Sequence, residues 1–241
     1  MAGDREKKWG KEVMFREGQS KQVLDDLFFS LINTVELLKP KVVIAENVKG
    51  MIQGDARGYV TSVVEKLNDL DYKVQVFLLN SVRMGVPQAR ERVFFIARRN
   101  DLGLKDLSLS FNEKKIPLYK AFKNLPDEEK KYLKKGSLSE RYWYICPPGK
   151  SFSTVARKGW FSNRRLSMKK PSCTLTANCG ANIYHPEEPR YLTKTEVCRI
   201  STFPDDYDFM DLSPHYVCGM SVPPFMMNRI VNQVISQWKI K

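Results

Sequence analysis

Long apolar runs are missing from this sequence. No stretch reaches the roughly 18 consecutive apolar residues typical of a membrane-spanning helix. The opening residues 1–12 are polar and charged, and no apolar stretch like that of a secretory signal follows them. We therefore expect neither secretion nor membrane insertion, and a cytoplasmic, nucleoid-associated protein.

Cysteine is scarce, and its spacing indicates no disulfide framework. The five cysteines form an odd number, and no two of them are spaced as C-x-x-C. This pattern favours reduced thiols. Cys173, Cys179 and His185 could be interpreted as metal ligands, but the five-residue gaps between them are wide for zinc. No metal site is predicted.

Acidic residues are in short supply, 27 against 40 lysines and arginines, which gives a formal charge of +13. This balance favours a polyanionic partner such as nucleic acid, although a merely soluble basic protein could share it. Between Arg141 and Pro186 acids are absent altogether, while aromatic residues and cations are interleaved. The mixture is typical of phosphate contact with base stacking or groove contact. The alternative is a small aromatic core with a basic rim. The eight cations are Arg141, Lys150, Arg157, Lys158, Arg164, Arg165, Lys169 and Lys170.

Helical and strand-like patterns alternate over the first hundred residues. Apolar residues recur at helical spacing over 23–38 and again over 59–70. Runs of strand-forming residues cover 42–45, 72–79 and 93–97. This alternation predicts a layered α/β sheet. Near residue 101 the rhythm breaks, which predicts a separate, irregular lobe.

Two further helices are predicted near the end of the sequence. Thr193 and Glu196 have the spacing of a capping box, so a helix should begin near Leu192 and run towards Phe203. The last predicted helix covers about residues 225–238. With 241 residues and 42% hydrophobic content, the chain can bury one main core and a smaller lobe.

Two short segments place polar groups beside predicted strands. Residues 45–50, Ala-Glu-Asn-Val-Lys-Gly, put Glu46 directly after a predicted buried strand. Ligands of open α/β sheets bind outside the carboxyl ends of strands, although a lone glutamate there is more often structural. Residues 85–96 place Arg90 and Arg92 on one side of a residue alternation that leads into an apolar strand. Arginines so placed could clamp a phosphate or a base oxygen.

Together these segments resemble the E-N-V and Q-x-R-x-R motifs of the cytosine-5 DNA methyltransferases, in that family's order and at about its spacing. Residues 190–207 resemble the family's penultimate motif, and residues 219–224 its last motif. The basic aromatic stretch falls where the family keeps its variable target-recognition domain. The resemblance implies an α/β fold, with a partial Rossmann-like methyltransferase sheet and a smaller irregular target-recognition lobe. The expected division is a partial catalytic domain over 1–100, a target-recognition domain over 101–188 and a segment over 189–241 that returns to the catalytic domain.

The sequence also departs from the family pattern. The glycine-rich turn that holds S-adenosylmethionine and the Pro-Cys segment that carries the nucleophile do not lie ahead of Glu46. Residues 1–5 resemble the stretch that follows the Pro-Cys segment in some members. Met220 stands where the family usually has asparagine, and Ser201 where it often has glutamine. Cys146 lies in a Cys-Pro-Pro-Gly context that matches a stretch of the family's recognition region. We therefore do not interpret Cys146 as the nucleophile.

The resemblance implies a role for each matching residue. In the family a cysteine thiolate attacks carbon 6 of a flipped-out cytosine, and carbon 5 then takes a methyl group from S-adenosylmethionine. Glu46 would hold ring nitrogen 3 and the exocyclic amine, Arg92 would contact the base oxygen, and Arg90 a phosphate or the catalytic loop. Ser221 and Val222 would close over the cofactor. The expected DNA-binding residues are Arg157, Lys158, Arg164, Arg165 and Thr174.

All these roles concern positioning or electrostatics, and none is that of the nucleophile. The first hypothesis is therefore part of a DNA (cytosine-5)-methyltransferase, of host, phage or restriction-modification origin, that is inactive alone. The second is a noncatalytic DNA-binding or regulatory subunit, and the third a fragment of an ordinary enzyme. The joint presence of Glu46, Arg90 and Arg92 favours an enzyme. An incomplete sheet would expose an edge and apolar surface, so the expected partners are double-stranded DNA and a complementary chain or a second copy.

Overall fold

The computed structural model describes residues 26–53 and 57–240. They form two compact units. Residues 26–79 and 91–108 make up the first unit, and residues 80–90 and 109–240 the second. The chain therefore leaves the first unit before residue 80, returns to it at residue 91, and leaves it again after residue 108.

The first unit is an α/β layer, as the alternation of patterns predicts. Its described residues form one three-stranded sheet in the order β1 (Val42–Val48), β3 (Glu91–Arg99), β2 (Tyr72–Asn80), and β1 runs antiparallel to β3. Strand β2 extends to Asn80, the first residue of the second unit. The elements are α1 (Asp26–Leu38), β1 (Val42–Val48), a 3-10 turn (Lys49–Ile52), α2 (Arg57–Asp69), β2 (Tyr72–Asn80), β3 (Glu91–Arg99) and a second 3-10 turn (Asn100–Leu102).

The core of this unit lies on one face of the sheet. Successive strand residues point to opposite faces, so Ala45 of β1 and its partner Phe95 of β3 share a face. That face packs on α1 and α2, where Phe28 and Val63 are buried against it. Glu46 and Arg92 occupy the opposite face. Phe94 and Ile96 share that opposite face and are buried as well, so Glu46 and Arg92 lie beside packed apolar residues.

Strand β1 is longer than its apolar run indicates. The antiparallel ladder with β3 continues to the pair Val48 and Arg92, so Glu46 and Asn47 lie within the strand. The prediction that they follow the strand is wrong. Pairing with a distant segment extended the strand past the point where apolar residues end.

The second unit has little regular structure before residue 194, and the division into a target-recognition domain over 101–188 and a returning segment over 189–241 stays a prediction. Strand β4 (Arg164–Arg165) pairs in parallel with β5 (Ile183–Tyr184). Across the described residues, no helix is both long and apolar enough to cross a membrane. The elements of the second unit are 3-10 turns (Ser81–Arg83 and Phe152–Thr154), α3 (Leu118–Ala121), α4 (Leu138–Ile145), β4 (Arg164–Arg165), α5 (Cys179–Asn182), β5 (Ile183–Tyr184), α6 (Lys194–Ser201), α7 (Pro214–Met220) and α8 (Pro224–Trp238).

The two predicted C-terminal helices are confirmed as α6 and α8. The capping box is formed in full: Thr193 Oγ1 accepts a hydrogen bond from Glu196 N at 3.3 Å, and Glu196 Oε2 accepts one from Thr193 N at 2.9 Å. Glu196 also receives two hydrogen bonds from the buried Arg190 guanidinium, at 2.7 and 2.8 Å. One carboxylate thereby caps the helix and neutralises a buried cation, which fixes the start of α6.

Candidate active-site and DNA-binding residues

The structure brings Glu46 and Arg92 together on adjacent strands of the first unit. Glu46 lies opposite Phe94, and Arg92 opposite Val48, so the two charged residues are diagonal neighbours on one face. Arg92 Nε lies 2.8 Å from Glu46 Oε1, and the side chains are 14% and 27% exposed. Burial lowers the pKa of Arg92, while the adjacent Glu46 carboxylate opposes that shift. The pair is therefore partly desolvated, with both side chains still partly exposed.

This pair has the chemistry needed to recognise the edge of a pyrimidine. A carboxylate accepts hydrogen bonds from an exocyclic amine, and a guanidinium donates to the carbonyl oxygen of a base. Arg92 Nη1 also donates to the Glu91 carbonyl at 2.8 Å, which limits the orientations that the guanidinium can adopt. Complementary polar groups are therefore held at one place before any ligand arrives.

Arg90 contacts a different set of partners in the second unit. Strand β3 begins at Glu91, so Arg90 precedes the strand. Its side chain is 1% exposed, and its guanidinium donates to the carbonyls of Leu175 at 2.7 Å, Gly219 at 3.0 Å and Met220 at 3.2 Å. Arg90 therefore ties the recognition region to the last motif, and its contact with a phosphate or catalytic loop stays a prediction.

Other residues of the Q-x-R-x-R segment take part in the same junction. The buried Gln88 accepts a hydrogen bond from Leu175 N at 3.2 Å and donates one to Ser201 Oγ at 3.4 Å. Thr174 Oγ1 donates to the Ala89 carbonyl at 2.7 Å. Sequence reasoning assigned no role to Gln88, although its place in the motif was the available signal. Thr174, expected at the DNA, is held through its hydroxyl at this junction.

The last motif lies close to the backbone of the recognition region. A Cβ atom on Gly219 would lie 2.1 Å from the Thr176 carbonyl oxygen, so glycine alone permits this approach. Ser221 and Val222 follow α7 and are half-buried. Ser221 Oγ donates to the Val217 carbonyl at 2.7 Å. The motif is therefore packed and hydrogen-bonded into the second unit.

The basic aromatic stretch contains both a small core and exposed cations. Trp143, Phe152 and Tyr184 are buried in one cluster, as the aromatic-core interpretation expects. Arg157 and Lys158 are exposed, whereas Arg164 and Arg165 are half-buried. The lobe therefore has an aromatic core under a surface that carries the exposed cations Arg157 and Lys158.

Arg165 contributes to the structure of this lobe. Its guanidinium carbon lies 3.8 Å from the Trp143 ring centroid, and its nitrogens donate to the carbonyls of Trp143, Cys146 and Pro186. Burial lowers the pKa of Arg165. The predicted DNA contact of Arg165 is untested, and its observed partners already satisfy much of its hydrogen-bonding capacity.

None of the five cysteines, all within the described residues, is an exposed and activated thiol. Burial raises the pKa of Cys146 and Cys173, and raises that of Cys179 to about 12. A hydrogen bond with Cys198 raises the pKa of Cys218. The same bond lowers the pKa of Cys198, whose side chain is 0% exposed. A nucleophilic cysteine needs thiolate character and access, and no cysteine here has both.

A family model described as C-5 cytosine-specific DNA methylase matches residues 8–236. The chain belongs to this family. Among curated members, it is 30% identical over 222 residues to the type II methyltransferase M.NgoFVII of Neisseria gonorrhoeae, covering 83% of this chain and 59% of the relative. It is 35% identical over 229 residues to M.Eco47II of Escherichia coli, covering 83% and 53%. The chain thus spans little more than half the length of these relatives.

The family fold is also found among solved structures. A crystal structure of a DNA modification methyltransferase encoded within an E. coli prophage matches with a TM-score of 0.72 at 19% identity. The match covers 90% of this chain and 75% of that chain. The resemblance in the motifs and the predicted α/β methyltransferase fold are both confirmed. The roles of individual residues stay predictions.

Proposed function

We propose that this chain carries the cytosine-holding and DNA-binding part of a DNA (cytosine-5)-methyltransferase, which transfers a methyl group from S-adenosylmethionine to carbon 5 of a flipped-out cytosine. Family membership supports the reaction class. The observation that carries the proposal is the Glu46–Arg92 pair, joined at 2.8 Å on the face of the sheet away from the core.

In this proposal the pair holds the cytosine by its polar edge. The Glu46 carboxyl group binds the exocyclic amine and ring nitrogen 3, and Arg92 donates to the base oxygen. The Arg92 guanidinium then stabilises charge that develops on the ring when carbon 6 is attacked. A module that only binds DNA has no need of a partly buried carboxylate beside a guanidinium, since burying this pair costs desolvation.

S-adenosylmethionine supplies the methyl group, and the last motif fits one side of its site. Ser221 Oγ donates its hydrogen bond to the Val217 carbonyl, and its lone pairs can still accept a hydrogen bond. Val222, half-buried, offers an apolar contact. The glycine-rich turn is not present in these 241 residues. We infer that a complementary segment, on a longer form of this chain or on another polypeptide, provides the rest of the pocket.

The same complementary segment would supply the nucleophile. Four of the cysteines are buried, and burial raises the pKa of the half-buried Cys173, whereas the reaction requires an accessible thiolate. Among the described residues, β1 is an outer strand of the sheet in the first unit, and Leu37 and Leu38 of α1 are 81% and 69% exposed. An outer strand beside exposed apolar residues is a surface on which further strands could pair.

A noncatalytic DNA-binding or regulatory subunit is the second candidate function. The exposed cations Arg157 and Lys158 favour it, because they would serve DNA binding with or without catalysis. The two functions differ in their need for Glu46. A binding subunit would tolerate its replacement, and an enzyme would not.

Complementation tests the proposal. The purified chain is mixed with a polypeptide that carries the glycine-rich turn and the Pro-Cys segment, and transfer of labelled methyl groups to cytosine-containing DNA is measured. We expect no transfer by the chain alone and transfer by the mixture. Glu46→Gln should lower the rate by roughly 100-fold or more, because it removes the charge but keeps the shape of the side chain.

Asp106→Asn is the matched control in the same unit. Its carboxylate is 58% exposed and pairs with Lys73 and Arg98 away from the proposed site, so the rate should not change. Transfer by the chain alone would contradict the requirement for an external nucleophile. A mixture that binds DNA but stays inactive, with Glu46→Gln binding as well as the original chain, would support the second function instead.

A further inference from the structure

One exposed aromatic side chain in the second unit lies in a cationic setting. The segment 155–162, which we name the Trp160 loop, connects the 3-10 turn Phe152–Thr154 to β4. Phe161 in this loop is 65% exposed, and Arg157, Lys158 and Gly159 beside it are exposed too. An isolated exposed phenylalanine is ordinary, but the geometry of this loop is not.

The neighbouring tryptophan anchors the loop. The centroid of the Trp160 ring lies 5.3 Å from that of the Tyr142 ring, at an interplanar angle of 69°, and 6.2 Å from that of the Phe152 ring. Phe152 is in turn stacked on Tyr184 at 4.8 Å. Trp160 therefore belongs to the aromatic core, while the next residue, Phe161, is turned outward.

Hydrogen bonds at its base hold the loop in this conformation. The buried Ser151 hydroxyl lies within donating distance of the Trp160 carbonyl at 3.1 Å and the Phe161 carbonyl at 2.7 Å. Phe152 N donates to the Asn163 carbonyl at 2.8 Å, and Asn163 Nδ2 donates to Tyr184 Oη at 2.7 Å. The backbone that carries Phe161 is fixed from both sides.

The backbone of Trp160 is in a conformation that a tryptophan rarely adopts. Its φ is +58°, in the left-handed region that favours glycine. Such a conformation costs free energy and persists only where the surroundings impose it, as the ring packing and the Ser151 hydroxyl do here. The next residue, Phe161, is 65% exposed on this packed and hydrogen-bonded loop.

We propose that the Phe161 ring inserts against the stacked bases of duplex DNA while Arg157 and Lys158 hold the adjacent phosphates. No acidic residue occurs between Arg141 and Pro186, so the Trp160 loop itself carries no charge that would repel a phosphate. Apolar side chains inserted at a base step gain contact with the bases, and cations on either side offset the phosphate charge. The inference rests on the proposed DNA binding, and it assigns that binding a specific base contact.

Salt dependence distinguishes a base contact from a phosphate contact. Phe161 carries no charge, so Phe161→Ala should weaken binding by about tenfold at every salt concentration. Arg157→Ala should weaken binding more at low salt, and it should reduce the slope of log K against log salt by about 1. Phe161→Trp should retain binding, because the larger ring can make the same contact.

The experiment measures anisotropy of a fluorescein-labelled, cytosine-containing duplex of mixed sequence, titrated with the 241-residue chain over a range of salt. A second duplex carries 2-aminopurine, whose fluorescence rises when it is unstacked. The original chain should bind and raise this fluorescence, and Phe161→Ala should do so far less at saturating protein. Tyr119→Ala is the control, since Tyr119 is 48% exposed outside the acid-free stretch.

Each outcome separates this inference from the proposed function. If the original chain binds DNA and Phe161→Ala matches it in affinity and in 2-aminopurine signal, the base contact is refuted and the proposed function stands. If the original chain fails to bind, both are refuted. If Phe161→Ala changes the salt slope, the ring acts through its charged neighbours and the inference is wrong. Thermal unfolding of each variant verifies that the fold is intact.

Discussion

Gly219→Ala should destabilise the second unit, because the added methyl group has no room. The ideal Cβ position lies 2.1 Å from the Thr176 carbonyl oxygen, 2.3 Å from its carbon and 2.8 Å from Ala177 N. All three are backbone atoms, so no side-chain rotation can relieve the overlap. Either helix α7 or the backbone at Thr176 must move, and either shift would disturb the Arg90 hydrogen bonds to Gly219 and Leu175.

Two terms of opposite sign decide the magnitude. Overpacking a buried site costs about 1–3 kcal/mol, and backbone overlap places this case at the upper end. Alanine gains about 1 kcal/mol over glycine inside a helix. The net loss is about 2 kcal/mol, which corresponds to a fall in Tm of about 4–8 °C for a chain of this size.

A glycine series makes the prediction specific. Gly58 in α2 has nothing within 4 Å of its Cβ position, so Gly58→Ala should be neutral or stabilising. The three atoms nearest to the Cβ position of Gly180 belong to the His215 side chain, at 3.2–3.3 Å, so Gly180→Ala should cost less than Gly219→Ala. Thermal unfolding followed by circular dichroism measures all three. A Gly219→Ala variant as stable as the original chain, or less harmful than Gly58→Ala, would refute the reasoning.

Two further predictions concern the buried charges near α6. Burial lowers the pKa of His185 from 6.5 to about 4, so the unfolded chain takes up a proton first as pH falls. The free energy of unfolding should therefore drop by up to about 3 kcal/mol between pH 6.5 and 4, and less in His185→Asn, as urea titrations at each pH can show. Glu196→Ala should cost about 3–5 kcal/mol, because Arg190 is left buried without this carboxylate. Glu188→Ala, whose carboxylate is 32% exposed, should cost much less in the same measurement.

The sequence by itself determined the elements that depend on local pattern. The spacing of Thr193 and Glu196 predicted the start of α6, because a capping box is formed within a single turn. Helical and strand periodicities located the α/β layer, because they too depend on residues that are close together in the sequence. Ordered motifs identified the family, which the match over residues 8–236 confirmed.

Only the tertiary structure decided which of these residues meet. The β1–β3 register placed Glu46 inside a strand and beside Arg92, and no local pattern fixes a pairing between distant segments. Arg90, two residues from Arg92, instead became a buried link to Gly219 because strand β3 begins only after it. Phe161 is exposed on a strained, fixed loop for a similar reason: the packing of Trp160 depends on Tyr142 and Phe152, and side-chain packing is set by the assembled fold.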